Sequence, residues 1–126
     1  MLTGRRALLL EDDVALRELL LEALSGEGLD VRPLASFVEV RDAAARGEAD
    51  IVIADFWGGS QRTLPESERQ EIRELCSYLP LVLLTGRTWA AETTAEELGA
   101  RALIRKPFDL DQLLQIVEAT VAHPQS

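Results

Sequence analysis

The sequence predicts an α/β fold in which a parallel five-stranded sheet is wound on both faces by helices. Three observations predict it. Short apolar runs recur five times along the 126 residues, and a segment with helical spacing follows each one. The clearest runs, "RALLL", "DIVIAD" and "LVLLT", are apolar at successive positions rather than alternating, as strands covered on both faces require. Strand and helix alternate throughout, and right-handed crossovers then restrict the topology to a doubly wound sheet.

Each element follows from local chemistry. "RALLL" (6–10) reads as a buried strand that stops at "EDD", where Asp13 is placed to cap the next helix. Leu16, Leu19, Leu20, Ala23 and Leu24 recur at helical spacing, and Gly26 and Gly28 supply the stop. "LDVRPL" (29–34) is a weaker strand, and Pro33 suits an edge because it has no N–H to donate. Ser36 and Glu39 form a capping box, opening a helix with Phe37, Val40 and Ala44 on one face. "DIVIAD" (50–55) is the third strand. Pro65 and Glu66 then start a helix that turns Ile72, Leu75, Cys76 and Leu79 inward. "LVLLT" (81–85) is the fourth strand, residues 88–98 form a weakly patterned helix, and "RALIR" (101–105) is the fifth strand. Asp109 and Gln112 make a second capping box, and Leu110, Leu113, Leu114, Val117 and Val121 face the core from the closing helix.

Composition narrows the function. With 47% hydrophobic residues and no linker-like tract, residues 1–126 read as one domain. The net charge of −9 opposes binding to nucleic acid or to anionic membranes, where affinity rests on cations meeting phosphates. The single cysteine, Cys76, cannot form an internal disulfide and reads as an apolar residue on a helix face. The opening "MLTGRRALLLEDD" has too few apolar residues for a signal peptide, and no segment reaches the ~20 apolar residues of a membrane span. A cytoplasmic location is the expectation.

In a doubly wound sheet, ligands bind beyond the carboxyl ends of the strands. The residues there are Glu11, Asp12 and Asp13 after strand 1, Asp55 after strand 3, Thr85 and Gly86 after strand 4, and Lys106 and Pro107 after strand 5. If strands 1 and 3 are neighbours, Glu11, Asp12 and Asp55 converge and repel unless a cation joins them. Oxygen donors without His or useful Cys favour a hard ion, Mg²⁺ or Mn²⁺, over zinc. Lys106 and Thr85 complete a pocket suited to a phosphoryl group. Singly, Asp55 reads equally well as a turn residue, Thr85 as a strand former and Lys106 as a solvated lysine. Four such readings falling together on one sheet edge by accident is the poorer explanation.

With "LLLEDD", "DIVIAD", "LVLLTG" and "IRKPF" in this order, the whole chain resembles the receiver domain of bacterial two-component response regulators, of the chemotaxis-regulator type. Asp55 and Thr85 stand 30 positions apart, the usual family separation. The resemblance implies a flavodoxin-like sandwich with strand order 2-1-3-4-5. It further implies that Asp55 is the phospho-acceptor, taking its phosphoryl group from a histidine kinase or a histidine phosphotransfer protein. Asp12 and Asp55 would ligate Mg²⁺, Glu11 would do so through a water, and Trp57 through its backbone carbonyl. Thr85, Gly86 and Lys106 would contact the phosphoryl group, and Lys106–Pro107 would be a cis peptide. Such a domain is no enzyme beyond its own phosphoryl transfer and dephosphorylation. It would be a monomer or weak dimer and signal to a downstream protein through the face made by helix 4, strand 5 and helix 5, with no direct contact to nucleic acid or membrane.

Three departures from the family pattern carry expectations of their own. Leu103 stands where the family usually has a switching Tyr or Phe, so an altered switch is expected, and with it the alternative of a phosphorylation-independent interaction module. Gly59 stands where proline is usual, so the Gly58–Gly59 loop is expected to be mobile. The spacing from Thr85 to Lys106 is one residue short, which predicts a shortened or displaced fourth helix and leaves Trp89 either in the core or on the partner-facing surface. The Trp57 side chain is expected to shield the acyl phosphate. Rival functions fit poorly. A phosphatase of the haloacid dehalogenase type needs an acid where Trp57 stands, a flavodoxin-like cofactor carrier needs a polar phosphate loop in place of "EDDVAL", and His123, the one histidine, reads as tail.

Overall fold

The structure is a computed structural model that describes residues 2–55, 64–85 and 94–122. Five strands, β1 (Arg6–Glu11), β2 (Asp30–Leu34), β3 (Ile51–Asp55), β4 (Leu81–Thr85) and β5 (Ala102–Arg105), form one sheet. Its order is β2-β1-β3-β4-β5 and every neighbouring pair is parallel. Helices α1 (Val14–Gly26), α2 (Phe37–Ala45), α3 (Glu66–Tyr78), α4 (Ala95–Leu98) and α5 (Leu110–Ala122) alternate with the strands. The predicted fold class and strand order are those observed.

Alternate side chains along each strand feed two separate cores. Leu8, Leu10, Val52, Ala54, Leu81 and Leu83 pack with α2, α3 and Leu98 of α4. Ala7, Leu9, Ile51, Ile53, Val82 and Leu84 pack with Leu20 and Leu24 of α1 and with Leu113, Val117 and Val121 of α5. Period-two geometry applied to uninterrupted apolar runs therefore explains why both faces need helices. Pro33 lies on β2, an edge of the sheet, as its missing donor requires.

Caps set the helix starts. The Asp13 carboxylate accepts the Leu16 amide at 3.1 Å, and the Ser36 hydroxyl accepts the Glu39 amide at 3.2 Å. At α5 the Asp109 carboxylate accepts the Asp111 amide at 2.9 Å. Gly28, which follows α1, has φ +92°, and a Cβ there would lie 2.5 Å from the Thr3 hydroxyl oxygen, so both backbone and space demand glycine.

Two expectations are corrected. Leu19 was placed on the inward face of α1, yet it is 48% exposed. The buried stripe runs through Leu20 and Leu24, with Leu16 and Leu21 partly covered, and Leu19 lies a helical step to one side. The helix predicted over 88–98 begins, within the described residues, only at Ala95. Thr94 is extended (φ −108°, ψ 159°) and its hydroxyl accepts the Glu97 amide, so it caps α4 and cannot be interior to it. Trp57, Gly58, Gly59, Gly86, Trp89 and His123 lie outside the described residues.

These packing assignments have a direct stability test. Leu9→Ala, at a fully buried position in the central layer, is expected to cost about 2–5 kcal/mol in urea unfolding. Leu19→Ala is expected to change stability by no more than about 0.5 kcal/mol. Equal losses for the two would contradict the orientation of α1.

Candidate functional site

The carboxyl ends of β1, β3, β4 and β5 bring together the residues singled out in the sequence. Glu11 closes β1 and Asp55 closes β3, and the two are direct register partners. Thr85 closes β4, and its carbonyl accepts the Lys106 amide at 2.8 Å, which fixes Lys106 one step beyond β5. Glu11, Asp55 and Thr85 are all buried, at 2%, 4% and 2% exposure, so three polar side chains sit where the strands would otherwise end in apolar residues. The Lys106–Pro107 peptide is cis.

The central contact joins strands that are not neighbours. β4 lies between β3 and β5, so their ends are roughly 10 Å apart. The long Lys106 side chain spans that interval, and its ammonium Nζ donates to Asp55 Oδ2 in an ion pair. A carboxylate this deeply buried needs such a partner, because an uncompensated buried charge costs several kcal/mol.

Glu11 is held differently. The Asp13 amide donates to its Oε2 at 3.1 Å, while Oε1 is buried and has no hydrogen-bond partner among the described residues. Burial pushes the Glu11 carboxyl up to about 7. The Asp13 amide opposes the rise, the Asp55 charge adds to it, the Lys106 charge opposes it and the Asp12 side chain adds to it. Arg17 Nη1 donates to the Glu11 carbonyl at 3.4 Å, a contact that sequence reasoning missed. The six-residue offset across a strand end gives no periodic signal for it.

Asp12 is exposed, and Asp13 serves α1 as its cap. Among the described residues, no group of three or more His, Cys, Asp or Glu side chains is arranged to hold a metal ion. The expected convergence of Glu11, Asp12 and Asp55 is thus realised as one register pair, Glu11 and Asp55, with exposed Asp12 beside it. The donor chemistry still suits a hard cation, since the buried acceptors there are oxygens and Glu11 Oε1 lacks a partner among the described residues. Trp57 and Gly86, expected to complete the site, lie outside the described residues.

The raised Glu11 carboxyl makes stability fall with pH. Between about 4.5 and about 7 the folded chain holds a proton that the unfolded chain has released, so stability is greatest below 4.5 and declines as pH rises through 7. The full loss is on the order of 3 kcal/mol. In metal-free buffer, Glu11→Gln is expected to raise the thermal midpoint at pH 8 more than at pH 4.5. An identical shift at both values would show that Glu11 carries no such proton.

No family model matches the chain. Among curated relatives, it is 30% identical over 125 residues to the DNA-binding transcriptional regulator NtrC of Rhizobium meliloti (strain 1021), covering 98% of this chain and 25% of that protein. It is 34% identical over 119 residues to the response regulator MprA of Mycobacterium sp. (strain KMS), covering 90% of this chain and 49% of that one. The chain thus spans a quarter to a half of these relatives' lengths. Two receiver domains are among the solved structures that share its fold. The receiver domain of the sensor histidine kinase PA1611 from Pseudomonas aeruginosa PAO1, solved with a magnesium ion coordinated in its active-site cleft, superimposes with a TM-score of 0.71 at 22% identity, covering 95% of this chain and 99% of that one. The beryllofluoride-activated NtrC receiver domain gives 0.65 at 23% identity, covering 97% and 98%. In sequence the chain is similar to two-component response regulators over a receiver-sized region, and its fold is that of their receiver domains.

Proposed function

We propose that this receiver accepts a phosphoryl group on Asp55 from the phosphohistidine of a histidine kinase or a histidine phosphotransfer protein, with Mg²⁺ (or Mn²⁺) as cofactor. The observation that carries the reading is the Asp55–Lys106 ion pair at the sheet edge, flanked by buried Glu11 and Thr85. Asp12 and Asp55 would hold the metal with the Trp57 carbonyl, and Glu11 would reach it through a water. The buried Glu11 Oε1, without a hydrogen-bond partner among the described residues, supports that role. When bound, the metal supplies positive charge against the phosphoryl oxygens.

The chain's own groups have separate tasks. An Asp55 carboxylate oxygen attacks phosphorus in line as the bond from phosphorus to the donor imidazole nitrogen breaks. The electron pair returns to the imidazole and an acyl phosphate remains on Asp55. Lys106 Nζ, already at the Asp55 carboxylate, neutralises the phosphoryl charge as it arrives. Thr85, with the Gly86 amide, hydrogen-bonds a phosphoryl oxygen. New contacts to Thr85 and Lys106 then bias a two-state equilibrium that a downstream protein reads at the face of α4, β5 and α5.

A second reading has one observation behind it. Leu103 is half-buried and packs against the core beneath α3 and α4, so the aromatic ring that usually reports the threonine's movement is replaced by a packed aliphatic residue. That favours a receiver whose interactions do not depend on phosphorylation. Tryptophan fluorescence during titration with Mg²⁺ and beryllofluoride separates the two readings. Phosphoryl acceptance predicts a saturable change that Asp55→Asn abolishes and Lys106→Ala weakens at least about tenfold. No change in the wild type, or the same change in Asp55→Asn, would favour the interaction module.

A further inference from the structure

The turn from β1 into α1 carries Glu11, Asp12 and Asp13, and its middle residue, Asp12, is exposed. Glu11 and Asp13 have other tasks, one as the register partner of Asp55 and one as the cap of α1. The direction in which Asp12 presents its carboxylate therefore depends on how firmly the backbone is held on either side of it.

One residue holds both sides. Arg17, the fourth residue of α1, is half-buried. Its backbone amide donates to the Asp13 carbonyl at 2.9 Å, and its Nη1 donates to the Glu11 carbonyl at 3.4 Å. Two more bonds tighten the same turn: the Asp13 amide donates to Glu11 Oε2 at 3.1 Å, and Asp13 Oδ1 accepts the Leu16 amide at 3.1 Å. Asp12 thus sits between two carbonyls that are both fastened to Arg17. The amide bond survives any substitution except proline, so the guanidinium is the part of this bracket that a side-chain change removes.

The kind of oxygen that Arg17 meets decides what its cation does. Lys106 Nζ occupies a carboxylate oxygen of Asp55, which a metal would need. Arg17 Nη1 occupies a main-chain carbonyl, which the proposed ligand set leaves unused. Removing the guanidinium thus frees no metal ligand, but it frees the turn, and a loose turn must be ordered when the cation binds.

We infer that Arg17 is a positioning residue for the metal site, an inference that rests on the proposed function. By tying the Glu11 carbonyl to α1, it holds Asp12 and Glu11 in place before the cation arrives. A bystander cation would act with the opposite sign: it would repel Mg²⁺, and its removal would tighten binding.

Isothermal calorimetry of Mg²⁺ binding to the intact chain tests this in the wild type, Arg17→Met and Arg17→Lys, with circular dichroism to check folding. Arg17→Met, close in length but without charge or donor, is expected to weaken Mg²⁺ binding about tenfold. Arg17→Lys keeps a donor and should recover part of that loss. The urea midpoint of the metal-free chain should move little in either variant. Equal or tighter Mg²⁺ binding in folded Arg17→Met would overturn the inference, whether or not its urea midpoint falls. Arg17→Lys binding no better than Arg17→Met would overturn it as well. Failure of the proposed metal site is seen separately, as a wild type with no saturable Mg²⁺ binding, and that result would overturn both.

Discussion

A carboxylate buried at the end of a central strand has to meet a cation, and much of this molecule is arranged around that requirement. Asp55 is 4% exposed, and Lys106 supplies the charge from two strands away. The pairing relies on the β3-β4-β5 part of the sheet, in which β4 lies between the partners and its terminal carbonyl holds the Lys106 amide. Strand order, the register of β4 with β5, and the position of Lys106 one residue past its strand are therefore parts of one constraint.

The same edge is left electrostatically unfinished. Glu11 pairs with Asp55 in register, is buried, and keeps one oxygen without a partner among the described residues. Two buried carboxylates lie near one ammonium that is engaged by Asp55, and burial, with the Asp55 charge adding to it, holds the Glu11 carboxyl raised. Buried polar groups normally have partners, so an arrangement of this kind calls for an explanation, of which a bound ion is one. Under the proposed function, the arriving divalent cation and phosphoryl group resolve it, and Lys106 passes from neutralising Asp55 alone to neutralising its phosphorylated form.

Much of this was legible in the sequence because it lay in uninterrupted apolar runs. "IVIA" before Asp55 and "LVLL" before Thr85 left little choice but doubly covered strands, and the polar residue closing each run marked the site directly. Leu19 misled because α1 carries leucines at 16, 19, 20 and 21, and periodicity alone does not choose between adjacent faces so densely apolar. The start of α4 was missed because Thr94 reads as one more weak helix former until its hydroxyl is seen capping Glu97. The Glu11 protonation was also beyond the sequence, since it depends on burial and on which oxygen finds a donor.

Lys106 already occupies the Asp55 carboxylate, so under the proposed function it and a divalent cation compete for that group. Calorimetric titration of Mg²⁺ into the wild type and Lys106→Met, each checked for folding, tests it most directly. Removing the ammonium is expected to tighten Mg²⁺ binding about tenfold, a change that requires only about 1.4 kcal/mol. Unchanged or weaker Mg²⁺ binding in Lys106→Met would contradict it.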